Sequence, residues 1–133
     1  MNVTGLTTVS SAHSVKETID RLEAEVRAKG MAVFARVDHA AGAKEVGMAL
    51  RPTELLIFGN AKAGTPLMQA DQTMGIELPL KVLAWEDQER KVWLSYNEPS
   101  WLAERHGLSG SAAETARHME TALAAVSRAV AGV

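Results

Sequence analysis

Residues 78–96 read LPLKVLAWEDQERKVWLSY, and this stretch decides the class of fold that the sequence predicts. Leu80, Val82 and Ala84 alternate with residues on the other face, which is typical of a strand, and Pro79 marks a sheet edge or a strand start. The polar segment EDQER supplies a turn, and residues 91–96, KVWLSY, return as a second strand. The stretch therefore predicts an antiparallel β-hairpin.

Residues 3–38 predict a strand, a helix and another strand. Residues 3–11 are rich in Thr, Val and Ser, as strands are. Ser14 and Glu17 fit a capping box, and Gly30 lies where the left-handed C-cap of the following helix is expected. The apolar stripe of this helix contains Val15, Ile19, Leu22 and Val26. In the strand at residues 31–38, one face is expected to hold Met31, Val33, Ala35 and Val37, and the other Phe34 and Arg36.

The remaining segments add one strand and three helices. Residues 39–47 are rich in Ala and Gly and predict a loop with a helical turn, whereas residues 53–58 form a short apolar run typical of a strand covered on both faces. Thr65 and Pro66 are typical of an N-cap and a first helical position, so we expect a helix from there to about residue 72. Residues 99–107 predict a short helix, and the SAAE sequence at residues 111–114 predicts the start of a last one, about 111–131.

The order of these elements predicts the α+β class. Strands mixed with helices favour a largely antiparallel sheet with helices packed on one face. No linker, repeat or low-complexity segment divides the chain, so residues 1–133 are expected to form a single domain.

Composition excludes several classes of function. The chain has no cysteine, which rules out disulfides, thiolate nucleophiles and Cys-ligated metal centres. The formal net charge of -2 gives no reason to expect nucleic acid or a membrane surface as a partner. No apolar stretch approaches the roughly 20 residues of a membrane span, and the N-terminus lacks a signal-peptide pattern. We therefore expect a cytoplasmic protein.

The segment from Gly59 to Thr65 is the first candidate for a site. Its glycine spacing is that of a phosphate loop, and it lies between a predicted strand and a predicted helix. A phosphate loop needs lysine directly after the second glycine, but Thr65 is there and the lysine is Lys62. The segment predicts at most a weak anion site at a helix start, to which Lys62 adds charge, or simply a capped connection between strand and helix.

Asp38 and His39 are the second candidate, at the end of a predicted strand with Lys44 close behind. A histidine beside a carboxylate acts as a general base or as a metal ligand in many proteins. One His and one Asp do not define a metal site, so a structural hydrogen bond is the alternative interpretation. Lys81 is an anion partner only if its strand face borders a pocket, because a solvated lysine is the default.

Several blocks in one order closely resemble the family called domain of unknown function 302. They include Asp38-His39, RPT at residues 51–53, FGN at residues 58–60, GTPLM at residues 64–68 and LPLK at residues 78–81. The resemblance covers residues 3–107 and implies a fold like the TATA-binding-protein half-repeat, β-α-β(4)-α, and a homodimer. It implies no activity. It indicates candidate site residues without assigning their roles, namely Asp38, His39, Asn60, Lys62, Thr65, Lys81 and Tyr96.

These observations lead to one functional hypothesis and three alternatives. The hypothesis is a homodimeric module that binds a small anionic ligand between the Asp38-His39 loop and the turn at residues 59–65. The alternatives are an enzyme that uses Asp38-His39 as an oriented base, a haem- or metal-binding protein that uses His39, and a purely structural dimer. The cofactor is unknown from the sequence, and no metal site is predicted.

Overall fold

The computed structural model describes residues 2–132, and within them it contains five strands, five α-helices and one 3₁₀ helix. In chain order these elements are β1 (Leu6–Ser11), α1 (Val15–Ala28), β2 (Ala32–Asp38), α2 (His39–Glu45), β3 (Thr53–Gly59), α3 (Ala61–Ala70), the 3₁₀ helix (Gln72–Ile76), β4 (Leu80–Glu86), β5 (Val92–Asn97), α4 (Pro99–Arg105) and α5 (Gly110–Ala131).

The strands form one antiparallel sheet in the order β1-β5-β4-β3-β2. The first strand therefore pairs with the last, and β2 lies at the opposite edge. Without the short helices in its connections, the chain has the order β-α-β(4)-α. The α+β class, the antiparallel sheet and the predicted hairpin of β4 and β5 are confirmed.

One face of the sheet carries the main core, against which α1 and α5 pack. Leu56, Val82 and Leu94 project from three neighbouring strands and are fully buried there. Ile19 and Leu22 of α1 meet them, and burial of each such side chain contributes about 1.5–3 kcal/mol. A second cluster joins α3, α4 and α5 beside the sheet around Leu67, Leu102 and Ala116.

Local signals at α1 are reproduced in the structure. The Ser14 hydroxyl accepts a hydrogen bond from the backbone N–H of Glu17 at 3.1 Å, as the capping box predicts. Gly30 has a φ of +80°, which is the left-handed conformation expected after the helix. These features need contacts within only a few residues, which is why the sequence predicts them well.

The prediction for β2 is wrong in its faces, because a β-bulge interrupts the alternation. Val33 pairs with Phe58, but the next pair is Ala35 with Ile57, so Phe34 is the extra residue. Arg36 is consequently on the helix-covered face, where its guanidinium donates to the Glu54 carboxylate at 2.9 Å. Val33 packs against the core, whereas Ala35 and Val37 are on the opposite face.

Three predicted helix boundaries also differ from the structure. Residues 39–45 form the complete helix α2 rather than a loop with one turn. Helix α3 begins at Ala61 with Asn60 as its N-cap, five residues before the predicted start, so Pro66 lies inside it. Helix α5 begins at Gly110, with Ser109 rather than Ser111 as its N-cap.

The other face of the sheet is open over much of its area. On β3 and β4 the side chains of this face are half-buried, in contrast to the nearly complete burial of their neighbours on the helix-covered face, and on β1 Thr8 and Ser10 are exposed. Trp85 and Trp93 lie there as a cross-strand pair, with ring centroids 6.3 Å apart. None of the helices in residues 2–132 combines the length and hydropathy needed to cross a lipid bilayer.

Candidate functional site

The two segments predicted to form one site lie at opposite ends of the sheet. Asp38 pairs with Glu54 near the start of β3, whereas Ala32 pairs with Gly59 at its end. The step from Glu54 to Gly59, at roughly 3.3 Å per residue, separates the two ends by about 17 Å. The prediction that these segments share a cavity is therefore wrong, because the strands that carry them are antiparallel.

The Asp38 carboxylate caps a helix. Its Oδ1 accepts a hydrogen bond from the backbone N–H of Ala41 at 2.8 Å, so Asp38 is the N-cap of α2. Within residues 2–132 the structure gives no hydrogen bond between this carboxylate and the imidazole of His39, which is exposed. An imidazole oriented by Asp38, which the enzyme hypothesis requires, is not the arrangement observed.

The predicted turn at residues 59–65 consists of the end of β3 and the first turns of α3. Asn60 Oδ1 accepts from the backbone N–H of Lys62 at 2.8 Å, which is the N-cap hydrogen bond. Close packing favours glycine at the first position only. A Cβ on Gly59 would be 3.3 Å from the Pro79 side chain, which is a tight contact, whereas a Cβ on Gly64 would be 3.4 Å from Leu78, which is an ordinary contact distance. The phosphate-like spacing is thus accompanied by close packing of β3 against the segment before β4.

A groove of about 880 Å³ lies between α1, α3 and α5, over the end of the sheet where β3 finishes. This volume is within the range of roughly 300–1,000 Å³ that is typical of small-molecule sites. Its apolar lining includes Met31, Phe58, Met68, Leu78, Leu80, Met119, Leu123 and Val126. Most of the wall is thus hydrocarbon or thioether, so the groove suits an apolar group better than a bare anion.

Several polar side chains also line the groove, and most of them are exposed. Asn60 and Thr65, both predicted as site residues, belong to the groove and are exposed at α3. Lys29 contributes at the end of α1, where its Nζ is 3.4 Å from the Glu25 carboxylate. His118 of α5 is also exposed there. The groove can therefore offer hydrogen bonds and one cationic side chain to a polar group at its edge.

The other predicted site residues do not line the groove. His39 and Lys44 belong to α2 at the far end of the sheet, and Lys62 is exposed on the first turn of α3. Lys81 pairs with Ile57, which places it on the open sheet face. Direct contact of these residues with a ligand stays a prediction.

Tyr96 belongs to the core beneath the helices, where it is 4% exposed. Burial raises the pKa of its hydroxyl, although a hydrogen bond with Thr7 acts in the opposite direction. The tyrosine is therefore neutral at physiological pH. Its place in the core indicates packing as its main role, and contact with a ligand stays a prediction for this residue too.

The contribution of α5 to the groove was not predicted from the sequence. Thr115, Met119, Ala122, Val126 and Ala129 recur at steps of four, three, four and three residues and lie along one side of this helix. From the sequence, Met119, Leu123, Val126 and Val130 are expected to form the apolar stripe of this helix. The small residues Ala122 and Ala129 beside that stripe were the available signal, because they leave room for a ligand.

A network of hydrogen bonds fixes the segment behind the groove. The Glu77 carboxylate accepts from Arg105 Nη1 at 2.6 Å, and His106 Nε2 lies 2.6 Å from the same oxygen. Burial opposes ionisation of Glu77, but the hydrogen bonds from His106 and Arg105 outweigh it and lower its pKa. An ionised carboxylate only accepts, so Nε2 is the donor. This network attaches the segment between the 3₁₀ helix and β4 to the end of α4.

Metal binding is not indicated in the described part of the chain. Residues 2–132 contain no group of three or more His, Asp or Glu side chains placed to hold a metal ion. The fold and groove together define a β-α-β(4)-α domain with a helix-bordered, mainly apolar groove.

The comparisons with known proteins assign this domain to a family. The model of the family called domain of unknown function DUF302 matches residues 7–126, so the chain belongs to this family, as the resemblance in its sequence predicted. The match extends into α5, beyond the residues on which the resemblance was recognised.

A solved structure from the same family has the same fold. The crystal structure of an uncharacterized conserved DUF302 protein from Bacillus stearothermophilus matches with a TM-score of 0.83, covering 93% of this chain and 96% of that one. The two chains are 22% identical, a level at which the likeness shows the fold alone.

The curated relatives are longer proteins. The fluoride-specific ion channel FluC 1 of Brucella suis biovar 1 (strain 1330) is 53% identical over 128 residues, which cover 96% of this chain and 50% of that protein. The protein of the same name from Brucella abortus biovar 1 (strain 9-941) is also 53% identical over 96% of this chain, with 47% of its length matched. The chain thus spans about half the length of the curated relatives it matches.

Proposed function

We propose that this chain is a binding module for a small molecule with a mainly apolar body and one anionic or polar group. The groove between α1, α3 and α5 receives this molecule, and its volume and lining are the observation that carries the proposal. The class of function is the one expected from the sequence, a homodimeric module for a small ligand. The proposed site lies at the end of the sheet where β3 finishes, not between the Asp38-His39 loop and residues 59–65.

The apolar lining supports a ligand body of hydrocarbon or aromatic character. Phe58, Leu80 and Leu123 belong both to the core and to the groove, so this wall is held in place by the core packing. Removal of apolar ligand surface from water contributes roughly 25 cal/mol per Å². A ligand that covers about 200 Å² of apolar surface therefore gains about 5 kcal/mol before the loss of its translational and rotational freedom is counted.

The polar edge supports a single charged or hydrogen-bonding group on the ligand. Lys29 is the cation of this edge, and its partner Glu25 is separated from it by one helical turn on the surface. Exposed pairs of this kind contribute little, so a ligand carboxylate can replace Glu25 at small cost. Asn60 and Thr65 supply neutral hydrogen-bonding groups across the groove.

The test is a calorimetric binding titration with three probes that separate the apolar body from the anion. Decanoate supplies an apolar body and an anion, decanol supplies the body alone, and acetate supplies the anion alone. We expect decanoate to bind at least ten times more tightly than decanol, and acetate not to bind. Equal weak binding of all three would contradict the proposal.

A blocking variant and a matched control localise the binding. Ala122 is an exposed residue of α5 that lines the groove, and Ala24 is an exposed residue of α1 outside its lining. Ala122→Trp fills the groove and is expected to abolish decanoate binding, whereas Ala24→Trp is expected to bind like the wild type. Equal affinities of the two variants would place the site elsewhere.

The curated relatives favour a second candidate function, that of a domain serving a fluoride channel. Proteins named fluoride-specific ion channels contain a segment 53% identical to this chain. We propose on this ground that the domain binds or responds to fluoride, which is itself a small anion. Titration of the protein into sodium fluoride, followed by the ¹⁹F NMR signal with chloride as competitor, tests this. An unchanged ¹⁹F signal at millimolar protein would exclude direct binding.

A further inference from the structure

Both phenylalanines of the chain border the groove between α1, α3 and α5, and they differ in exposure. The chain contains two phenylalanines, and each of them lines the groove. Phe58, near the end of β3, is 1% exposed and belongs to the core, whereas Phe34 of β2 is 61% exposed. One aromatic ring therefore forms part of a fixed wall, and the other is accessible to solvent beside the same cavity.

A β-bulge determines where Phe34 lies. Val33 pairs with Phe58 and Ala35 pairs with Ile57, so Phe34 is the extra residue between two regular pairs. A bulge bends its strand and redirects a side chain, and bulges are frequent next to active sites. Single exposed apolar side chains are ordinary. A ring that a bulge places at the border of a cavity is different, because it is positioned to touch whatever enters that cavity.

The ring of Phe34 is available for stacking. Within residues 2–132 the structure has one pair of aromatic rings in contact, that of Trp85 and Trp93, so Phe34 is not stacked on another ring of the chain. Aromatic rings favour offset stacking or edge-to-face contact with other rings, and this attraction adds to the effect of burial. A saturated ligand gains only burial at the same position. The exposed ring therefore favours an aromatic ligand.

Three methionines are the second reason to expect an aromatic ligand. Met31 directly precedes β2, Met68 belongs to α3 and Met119 belongs to α5, and all three line the groove. A thioether is polarizable and makes favourable contacts with the edge of an aromatic ring, and the flexible methionine side chain adapts to the outline of that ring. The groove thus offers more to a flat aromatic ring system than to a saturated one.

We propose that the ligand of the groove is an aromatic carboxylic acid and that Phe34 is the residue that selects it over saturated acids. The ring system of the ligand stacks on Phe34 and contacts the thioethers, and its carboxylate is within the reach of Lys29 at the edge of the groove. This inference rests on the proposed function, since it specifies the class of ligand for the same site.

Two probes with the same carbon skeleton separate ring character from size. 2-Naphthoate is flat and aromatic, and decahydro-2-naphthoate is its saturated counterpart with the same number of carbon atoms and the same charge. Calorimetric titration measures the affinity of each. We expect the wild type to bind 2-naphthoate about five times more tightly or better, although the saturated acid is the more hydrophobic of the two. Equal affinities, or tighter binding of the saturated acid, overturn the proposal.

Substitutions at Phe34 show whether this ring makes the distinction. Phe34→Leu keeps an apolar side chain without a ring, and Phe34→Tyr keeps the ring and is the matched control. We expect Phe34→Leu to bind 2-naphthoate about fivefold more weakly and the saturated acid within about twofold of the wild type, whereas Phe34→Tyr keeps both affinities. Because Phe34 is exposed, both variants are expected to fold, and circular dichroism checks this. A Phe34→Leu variant that binds both acids like the wild type overturns the role of Phe34.

The decanoate titration distinguishes failure of this proposal from failure of the proposed function. A wild type that binds neither of the two acids and no decanoate overturns the site and the aromatic class together. A wild type that binds decanoate but does not prefer 2-naphthoate to its saturated counterpart keeps the groove as a ligand site and overturns the aromatic class alone. A preference that is lost in Phe34→Leu and kept in Phe34→Tyr supports both.

Discussion

Replacement of Glu77 by Gln removes the charge that holds the segment behind the groove. In the wild type, the Glu77 carboxylate accepts from Arg105 and His106, each at 2.6 Å. Both donors approach the same Glu77 oxygen, and Gln keeps the size of the side chain and an amide oxygen that can take that position. Because this oxygen is neutral, neither hydrogen bond is with a carboxylate any longer, and both lose that charge assistance.

The exposure of each partner sets the size of the effect. The side chain of Arg105 is 57% exposed, so solvent screens its ion pair with Glu77 to about 0–1 kcal/mol. The side chains of His106 and Glu77 are only 10% and 12% exposed, and a hydrogen bond to a charged group in such surroundings contributes about 1.5–3 kcal/mol. We therefore expect Glu77→Gln to lower the free energy of unfolding by about 2 kcal/mol.

Thermal unfolding followed by circular dichroism measures this loss. Unfolding of 133 residues carries an entropy of about 0.28 kcal/mol/K at roughly 2.1 cal/mol/K per residue, so a loss of about 2 kcal/mol lowers Tm by about 7 °C. Glu104→Gln, an exposed change on the same helix as Arg105, is the control and is expected to shift the free energy by less than about 0.5 kcal/mol.

The pH dependence gives an independent check. The pKa of Glu77 is lowered in the folded protein from an ordinary value of 4.5. The contribution of the Glu77 carboxylate to the free energy of unfolding is therefore complete above pH 4.5, and it is lost as the pH falls through the lower pKa of the folded protein. The difference in stability between wild type and Glu77→Gln is expected to be constant from pH 5 to 7 and to shrink in acid. A variant as stable as the wild type, or a difference that grows in acid, would refute the role assigned to this carboxylate.

Three further changes test other parts of the structure. Asn60→Ala removes the N-cap of α3 and is expected to cost about 1 kcal/mol in urea unfolding, whereas Asn60→Asp, which keeps a capping oxygen, should cost less than half of that. Asp38→Asn should leave stability unchanged, because Asn caps α2 as well as Asp does. It should also leave decanoate affinity unchanged, because Asp38 is remote from the groove, and a tenfold loss of affinity would instead support a binding site at Asp38 and His39. Leu22→Ala creates a cavity at a fully buried position and is expected to cost about 2–5 kcal/mol by chemical denaturation, and a cost under 1 kcal/mol would mean that α1 packs differently.

The candidate site shows where sequence reasoning stops. Asn60 and Thr65 were found because residues at a strand-to-helix connection have recognisable capping chemistry, and both belong to the groove. Lys29, Thr115 and His118 were not found, because each belongs to an ordinary amphipathic helix and becomes part of a site only when three helices meet. The prediction that His39 and residues 59–65 share a cavity was wrong because local sequence patterns contain no information on how far apart two segments lie in the fold.

The boundaries of α3 and the faces of β2 illustrate the same limit within the fold. Asn60 and Thr65 are both good N-caps, and local propensity favoured Thr65 because proline follows it. In the structure Asn60 is the N-cap and the helix begins at Ala61, with Leu67 buried in the second cluster. In β2 the bulge at Phe34 results from pairing with β3, which the alternation of β2 alone does not reveal.

The sequence by itself determined the elements and their class, because hydrophobic periodicity, capping boxes and glycine C-caps act over a few residues and are written directly in the chain. It also placed the chain in its family through blocks of residues in a fixed order. Only the tertiary structure decided which ends of the strands meet, which of two caps starts α3, and that three helices border a groove. These features depend on strand register and on packing between residues far apart in the chain, and the energies that select them arise only once the sheet and helices have come together.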